Sequence, residues 1–270
     1  MSYRWIIDGL DQTWSSVASL LASRPEEDFD RPTPCPGWSV RDILSHLTGF
    51  EEFLNGAPVP TFEGPFPDYV RNDVGRFNEA FVQAARSARG DALLERFRQA
   101  TTQSLDRLRA LSDADWDRVG WSPEGERPYH RFQETRILDA WIHLQDLRDA
   151  VLEPDDDHGI GEEVVINRFE AALPFIVGRH MEVGEGFTLQ VNLAGRLGRT
   201  ALVRVHDGRG EAVSTLSAPP DLEVTTPVAL FWRRAAGRIS AEAWLGASAT
   251  DVRGDPAVAR AFADALCVMI

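Results

Sequence analysis

Apolar residues recur at three- and four-residue steps through the first half of the chain. Trp5, Ile6, Leu10, Trp14, Val17 and Leu21 trace one stripe, which predicts an amphipathic helix over roughly 3–23. Pro25 ends it, and a stretch with Pro32, Pro34, Pro36 and Gly37 follows. Ser39 then stands where an N-cap is needed, with Asp42 three residues on. This is the capping-box spacing with Asp in place of the usual Glu or Gln. The helix it opens runs to about Leu54, with Val40, Ile43, Leu44, Leu47, Phe50 and Leu54 on its apolar face. Pro58, Pro60, Pro65 and Pro67 make residues 56–68 a long loop. Helical spacing returns over Val70–Ala88 and Asp91–Leu111, interrupted near Gly90. It returns again over about Arg131–Val151, after a polar loop at Trp121–Tyr129.

The character then changes. Glu153-Pro154-Asp155-Asp156-Asp157 is acidic and helix-breaking, which suits a linker. One more helix, about Glu162–His180, precedes segments that alternate apolar and polar residues, Phe187–Leu193 and Ala201–His206. Gly195, Gly198, Gly208 and Gly210 are expected to supply the turns. Leu222–Thr225 reads as a further strand. Thr226-Pro227 and Asp255-Pro256 each open a helix, through Arg234 and about Leu266. The fold class expected is therefore an all-helical bundle over 1–155 followed by a small α+β domain over 156–270.

Composition narrows the function classes. The 270 residues are 43% hydrophobic and 26% charged, as in a folded globular protein. Asp and Glu number 42 against 28 Lys and Arg, a net charge of -14, which argues against nucleic acid as a partner. No apolar run approaches the roughly 20 residues of a membrane span. Met1–Trp14 lacks a basic start followed by an apolar run, so no secretory signal is expected. The two cysteines, Cys35 and Cys267, imply no disulfide framework. A cytoplasmic protein with no membrane association is the default expectation.

Chemistry has to be sought in spacing. Of six histidines, His46 and His143 fall within predicted bundle helices beside acidic residues. Asp139 lies four residues before His143, so both project from one helix face, and Asp146 shares that side. Helical bundles build metal sites from such pairs on facing helices. His46, Asp139 and His143 together are two imidazoles and one carboxylate, the three-ligand form of a catalytic zinc site. The same spacing also fits a surface polar pair and a hydrogen-bonded core histidine.

The segment Thr33-Pro-Cys-Pro-Gly-Trp-Ser-Val-Arg-Asp-Ile-Leu-Ser-His-Leu resembles the amino-terminal signature of mycothiol-dependent maleylpyruvate isomerases, members of the DinB-like superfamily of four-helix metalloproteins. Arg136-Ile-Leu-Asp-Ala-Trp-Ile-His-Leu-Gln-Asp-Leu-Arg resembles that family's second signature. Asn192-Leu-Ala-Gly-Arg and Val252-Arg-Gly-Asp-Pro are similar to its small carboxyl-terminal domain, which is related to sterol carrier proteins. The resemblance implies that His46, Asp139 and His143 are metal ligands, with zinc the first choice. The characterised pattern has Glu where this chain has Asp139, which is one methylene shorter. It also implies mycothiol, the thiol of actinobacteria, as cosubstrate. A small-molecule electrophile would be the partner, in an isomerase or an S-transferase reaction. An arginine of the small domain reaches the active site in that family, and Arg238 and Arg253 are the candidates here. A non-catalytic ligand-binding or regulatory protein, and a metal hydrolase needing no thiol, stand as alternatives.

Other residues are open to two readings. Asp146 could orient an imidazole or be a solvated or locally paired helix residue. Cys35 could ligate metal, act as a nucleophile or pack under its loop. Trp38 and Trp141 could line a pocket or belong to the core. Arg233 and Arg234 could meet a carboxylate. His206 is expected to face solvent.

Overall fold

The computed structural model describes residues 3–122, 125–156 and 158–269. Pro123 and Glu124 of the polar loop and Asp157 of the acidic segment lie outside the described residues. The chain divides into two compact units, Met1–Val164 and Val165–Ile270.

Helices build the first unit. α1 (Arg4–Leu21) packs on α4 (Gly90–Arg109) and α6 (Tyr129–Ala150). α2 (Val40–Leu54) packs on α3 (Asp73–Ala85), α4 and α6. Its core is the set of stripes read from the sequence, among them Ile6, Leu10, Ile43, Leu44, Phe97, Leu108, Ile137 and Leu144, all buried. Each such side chain contributes about 1.5–3 kcal/mol by leaving water. The capping box forms as expected. Asp42 N–H donates to Ser39 Oγ at 3.2 Å, and Ser39 N–H donates to Asp42 Oδ2 at 3.0 Å. α3 starts later than the spacing predicts, because Asn72 caps it by accepting the Gly75 N–H at 2.7 Å. The polar loop before α6 holds a short helix, α5 (Asp113–Asp117), and a two-strand ribbon, β1 (Val119–Gly120) with β2 (Arg127–Pro128). Both are too short to carry a periodic signal. The acidic segment is tied back to α6: buried Gln145 accepts the Asp156 N–H at 2.9 Å and donates to its carbonyl at 3.2 Å.

One buried ion pair joins four helices. Arg136 of α6 donates through Nε to Glu51 Oε1 of α2 at 3.1 Å and through Nη2 to Oε2. Ser104 of α4 donates to the same carboxylate at 2.6 Å. The guanidinium lies over the Trp14 ring of α1, 5.2 Å from its centroid. Both charges are almost wholly shielded from water.

α7 (Ile160–His180) passes from the first unit into the second. There a five-stranded sheet runs in the order β5-β4-β3-β6-β7. Its strands are β3 (Thr188–Ala194), β4 (Arg199–His206), β5 (Arg209–Ala212), β6 (Leu222–Pro227) and β7 (Asp251–Gly254). β3 and β6 are parallel and the other neighbours antiparallel. Leu189, Val191, Val203, Val205, Leu222 and Val224 are buried in this unit, as are Phe231 and Trp232 of α8 (Val228–Ala235), Trp244 of α9 (Ala241–Leu245) and Phe262 of α10 (Pro256–Ala265). Gly210 belongs to β5 and not to a turn. A Cβ there would stand 2.0 Å from the Pro174 carbonyl oxygen, so the glycine lets α7 touch the sheet backbone. At the end of β4, His206 is exposed and Glu185 accepts from its Nδ1 at 3.0 Å. That bond, with the nearby Asp207 charge, holds the imidazole above its usual range.

Two outcomes follow. Arg136→Ala leaves Glu51 buried and unpaired and should cost about 3–5 kcal/mol in urea unfolding followed by circular dichroism. A Glu51→Leu, Arg136→Met double variant should cost less than either single change. In the second unit, charged His206 favours folding, so its contribution is present below its raised pKa and fades as pH rises through it. Glu185→Gln should move the NMR titration of His206 down toward that of an ordinary histidine.

Candidate metal centre

The centre forms where α2 faces α6. His46 lies on the second turn of α2 and is only 3% exposed. Asp139, His143 and Asp146 occupy positions i, i+4 and i+7 of α6, two turns on one face. His46 Nε2 stands 3.1 Å from Asp139 Oδ2, and His143 Nε2 stands 3.7 Å from Asp139 Oδ1. Their three ligand atoms lie within 4.8 Å of one another. The structure therefore brings the three residues together, with His46 and Asp139 93 positions apart in sequence.

The bond at the far nitrogen decides what His143 can do. Its Nδ1 is 3.0 Å from Asp146 Oδ2, and Asp146 is 1% exposed. A carboxylate there accepts a proton carried on Nδ1, and with that proton in place Nε2 would be the nitrogen available to a metal. The two imidazoles approach different oxygens of the one carboxylate, Oδ2 from His46 and Oδ1 from His143, so Asp139 stands between them. The donor set fits a divalent metal. Asp146 has the position of the carboxylate that orients metal-bound imidazoles. His46 has no such partner: its Nδ1 is buried without a hydrogen bond among the described residues. Aromatic packing holds its ring instead, with Trp38 at 5.1 Å and Phe50 at 6.3 Å between centroids.

Trp38 also packs on His143, at 5.7 Å, so one indole covers both imidazoles. Its Nε1 donates to Glu79 Oε2 at 3.0 Å. Glu79 is fully buried on α3 and also accepts from Tyr69 at 3.0 Å and from Gln83 at 2.5 Å. Burial pushes the Tyr69 phenol above its usual range, so it remains a neutral donor. Glu79 escaped the reading of the sequence. Its place three residues before Val82 puts it on the buried stripe of α3, but nothing in the spacing names Trp38 as its target.

The remaining expectations fall in several places. Half-buried Cys35 forms a second cluster with His143 and Asp146, again with ligand atoms within 4.8 Å. Trp141 is core, packed against Gly161. Arg238 and Arg253 lie in the second unit. Arg238 donates to the Ala236 carbonyl at 2.8 Å, and exposed Arg253 donates to Asp251 at 3.2 Å. Arg234 is buried and donates to the carbonyls of Ala263 and Ile239 at 2.8 and 2.6 Å, a structural role. Arg233 lies over the Trp232 ring, 4.4 Å from its centroid. Glu185, His206 and Asp207 cluster on the exposed end of the sheet.

Residues 10–148, more than half the chain, match the family model described as the mycothiol maleylpyruvate isomerase N-terminal domain. The chain belongs to that family. Its fold agrees with a crystal structure of the mycothiol-dependent maleylpyruvate isomerase, at 17% identity, TM-score 0.58 and 93% coverage of both chains. A point mutant of that enzyme gives 15% identity and TM-score 0.58, covering 88% of this chain and 90% of that one. At these identities the likeness carries the fold. No curated protein matches the chain. In this family member the helical bundle and the sheet-containing region that follows it are as the sequence led one to expect.

Elemental analysis tests the centre directly. The purified protein should hold close to one equivalent of divalent metal, and His46→Ala or His143→Ala should lose it. Asp146→Asn should keep the fold and weaken metal affinity about 10–100-fold, read by competition with a chelator.

Proposed function

We propose that the protein is a metal-dependent enzyme that uses mycothiol to attack an electrophilic small molecule, as an isomerase or an S-transferase. The observation that carries this reading is the meeting of His46, Asp139 and His143 at one point, with His143 oriented by Asp146. Family membership supplies the thiol. The expected ion is zinc, which suits two imidazoles and one carboxylate.

His46 Nε2, Asp139 and His143 Nε2 would hold the ion. When bound, such a cation favours the thiolate of a coordinating thiol at neutral pH. A proton on His143 Nδ1 would be accepted by Asp146, which would leave Nε2 turned toward the ion. Trp38 shields both rings from water, and Glu79 holds Trp38 there. Asp139, with 28% of its side chain exposed, lies on the open side of the centre. The thiolate forms a carbon–sulfur bond to an electron-poor carbon. In an isomerase the double bond becomes single and rotates, and loss of the thiolate restores it in the other geometry. In a transferase the sulfur bond persists and any leaving group departs with its electron pair.

Metal-loaded protein incubated with mycothiol and an electrophile, maleylpyruvate or a chlorinated aromatic, should accelerate thiol consumption or isomerisation over the uncatalysed rate. Asp139→Ala should abolish the acceleration. Metal binding with no acceleration for any electrophile would overturn the thiol reading, and turnover without mycothiol would replace it with hydrolysis.

A further inference from the structure

The stripe that bears the metal ligands continues as a wall of aromatic rings. On α2, Phe50 follows His46 by one turn. On α6, Phe132 precedes Asp139 by seven residues, two turns along the same face. The rings touch in sequence. His46 and Phe50 lie 6.3 Å apart between centroids, Phe50 and Phe132 6.3 Å, and Phe132 and Trp121 5.9 Å. Phe77 of α3 meets Phe50 edge-on at 6.1 Å. The fold has not closed over this wall. Phe50 and Phe77 are half-buried, and Trp121 is 61% exposed although it rests on the buried Phe132. An indole left so open beside a packed aromatic set that reaches His46 is surface a solute can use.

Charge along the same stretch points to the kind of solute. The arginines that flank these rings on α3 and α6 each have an acidic partner, Arg76 and Arg131 through exposed guanidinium groups, while exposed Arg127, opposite Gly120 on the ribbon, donates to the Glu126 carbonyl. Arg136 pairs with Glu51, Arg131 with Glu134 at 2.8 Å, and Arg76 with Asp73 at 2.7 Å. Asp139 adds negative charge at the mouth of the stripe. Aromatic faces and edges accept planar rings in offset or edge-to-face contact, and the four side chains of this wall carry no charge to pair with a dianion. We infer that the wall formed by Phe50, Phe77, Phe132 and Trp121 binds a neutral, planar aromatic electrophile and presents it to the centre. This rests on the thiol chemistry proposed above and specifies its acceptor.

Binding can be tested without any thiol, so its outcome is separate from that of the chemistry. The probes are 1,3-dinitrobenzene, a neutral aromatic without a leaving group, and maleate, a small dianion. Each is titrated into the zinc-loaded full chain and read by ligand-observed NMR. The aromatic should bind at least tenfold more tightly than maleate. Trp121→Ala, at an exposed site where folding is not at stake, should weaken it about three- to tenfold, and Phe50→Leu similarly. Trp121→Ala should alter neither maleate binding nor the thermal midpoint by more than a small amount. Tighter binding of maleate, no binding of the aromatic, or variants that change its affinity less than twofold would overturn the inference. Aromatic binding that meets these expectations in a protein with no thiol activity would leave it standing and remove the thiol reading.

Discussion

A charge buried between two helices admits one register. Glu51 and Arg136 are both shielded from water, and either one alone would be a severe penalty. α2 and α6 must therefore cross where the carboxylate meets the guanidinium. Five residues back along α2 stands His46, and three and seven residues on along α6 stand Asp139 and His143. The helices run so that these positions meet on the same side of the ion pair. Sliding either helix by one residue would turn its side chains by about 100°, separating the ligands as well as the pair. Ser104 and Trp14 bring α4 and α1 to the same point. The stability of the bundle and the geometry of the centre are thus tied to one buried contact.

A second layer works through the loop before α2. Gly37 has φ of +80°, and a Cβ there would fall 2.3 Å from Tyr69, so only glycine brings this loop so near that ring. The next residue is Trp38, whose indole covers the two imidazoles and whose N–H reaches buried Glu79. Glu79 also accepts from Tyr69, so loop and α3 share one acceptor. The capping box at Ser39 and Asp42 fixes where the helix begins, and Arg86 Nε donates to the same Asp42 at 3.1 Å. Local backbone geometry, a cap and a buried carboxylate act together to set one aromatic ring over the site.

The second unit is organised by different rules. Strand alternation sorts Leu189, Val191, Val203, Val205 and Val224 into the interior, while His206 falls on the exposed parity. Where α7 approaches β5, Gly178 and Gly210 bring backbone against backbone with no side chain between.

Much of this was legible from the order of residues. Apolar spacing set α1, α2, α4 and α6, and the Ser39–Asp42 cap set the start of α2, because both depend on contacts within a few residues. The pairing of Asp139 with His143 was equally local, since one helix turn brings them together. What α6 does with its other polar residues was not local. Glu134, Arg136, His143 and Asp146 are buried, and each needs a partner that helix period alone cannot name in full. Asp146 could be read as solvated until packing removed the solvent, and Glu51 could be read as a surface acid until α6 covered it. The sequence by itself determined the longer helices, the strands β3, β4 and β6, and which residue types were available for a metal site. Only the tertiary structure decided that His46 meets Asp139, that Asp146 rather than water holds His143, and that Glu79 holds Trp38. Those contacts join elements tens of residues apart, and they are selected by desolvation, which acts only once the chain has packed.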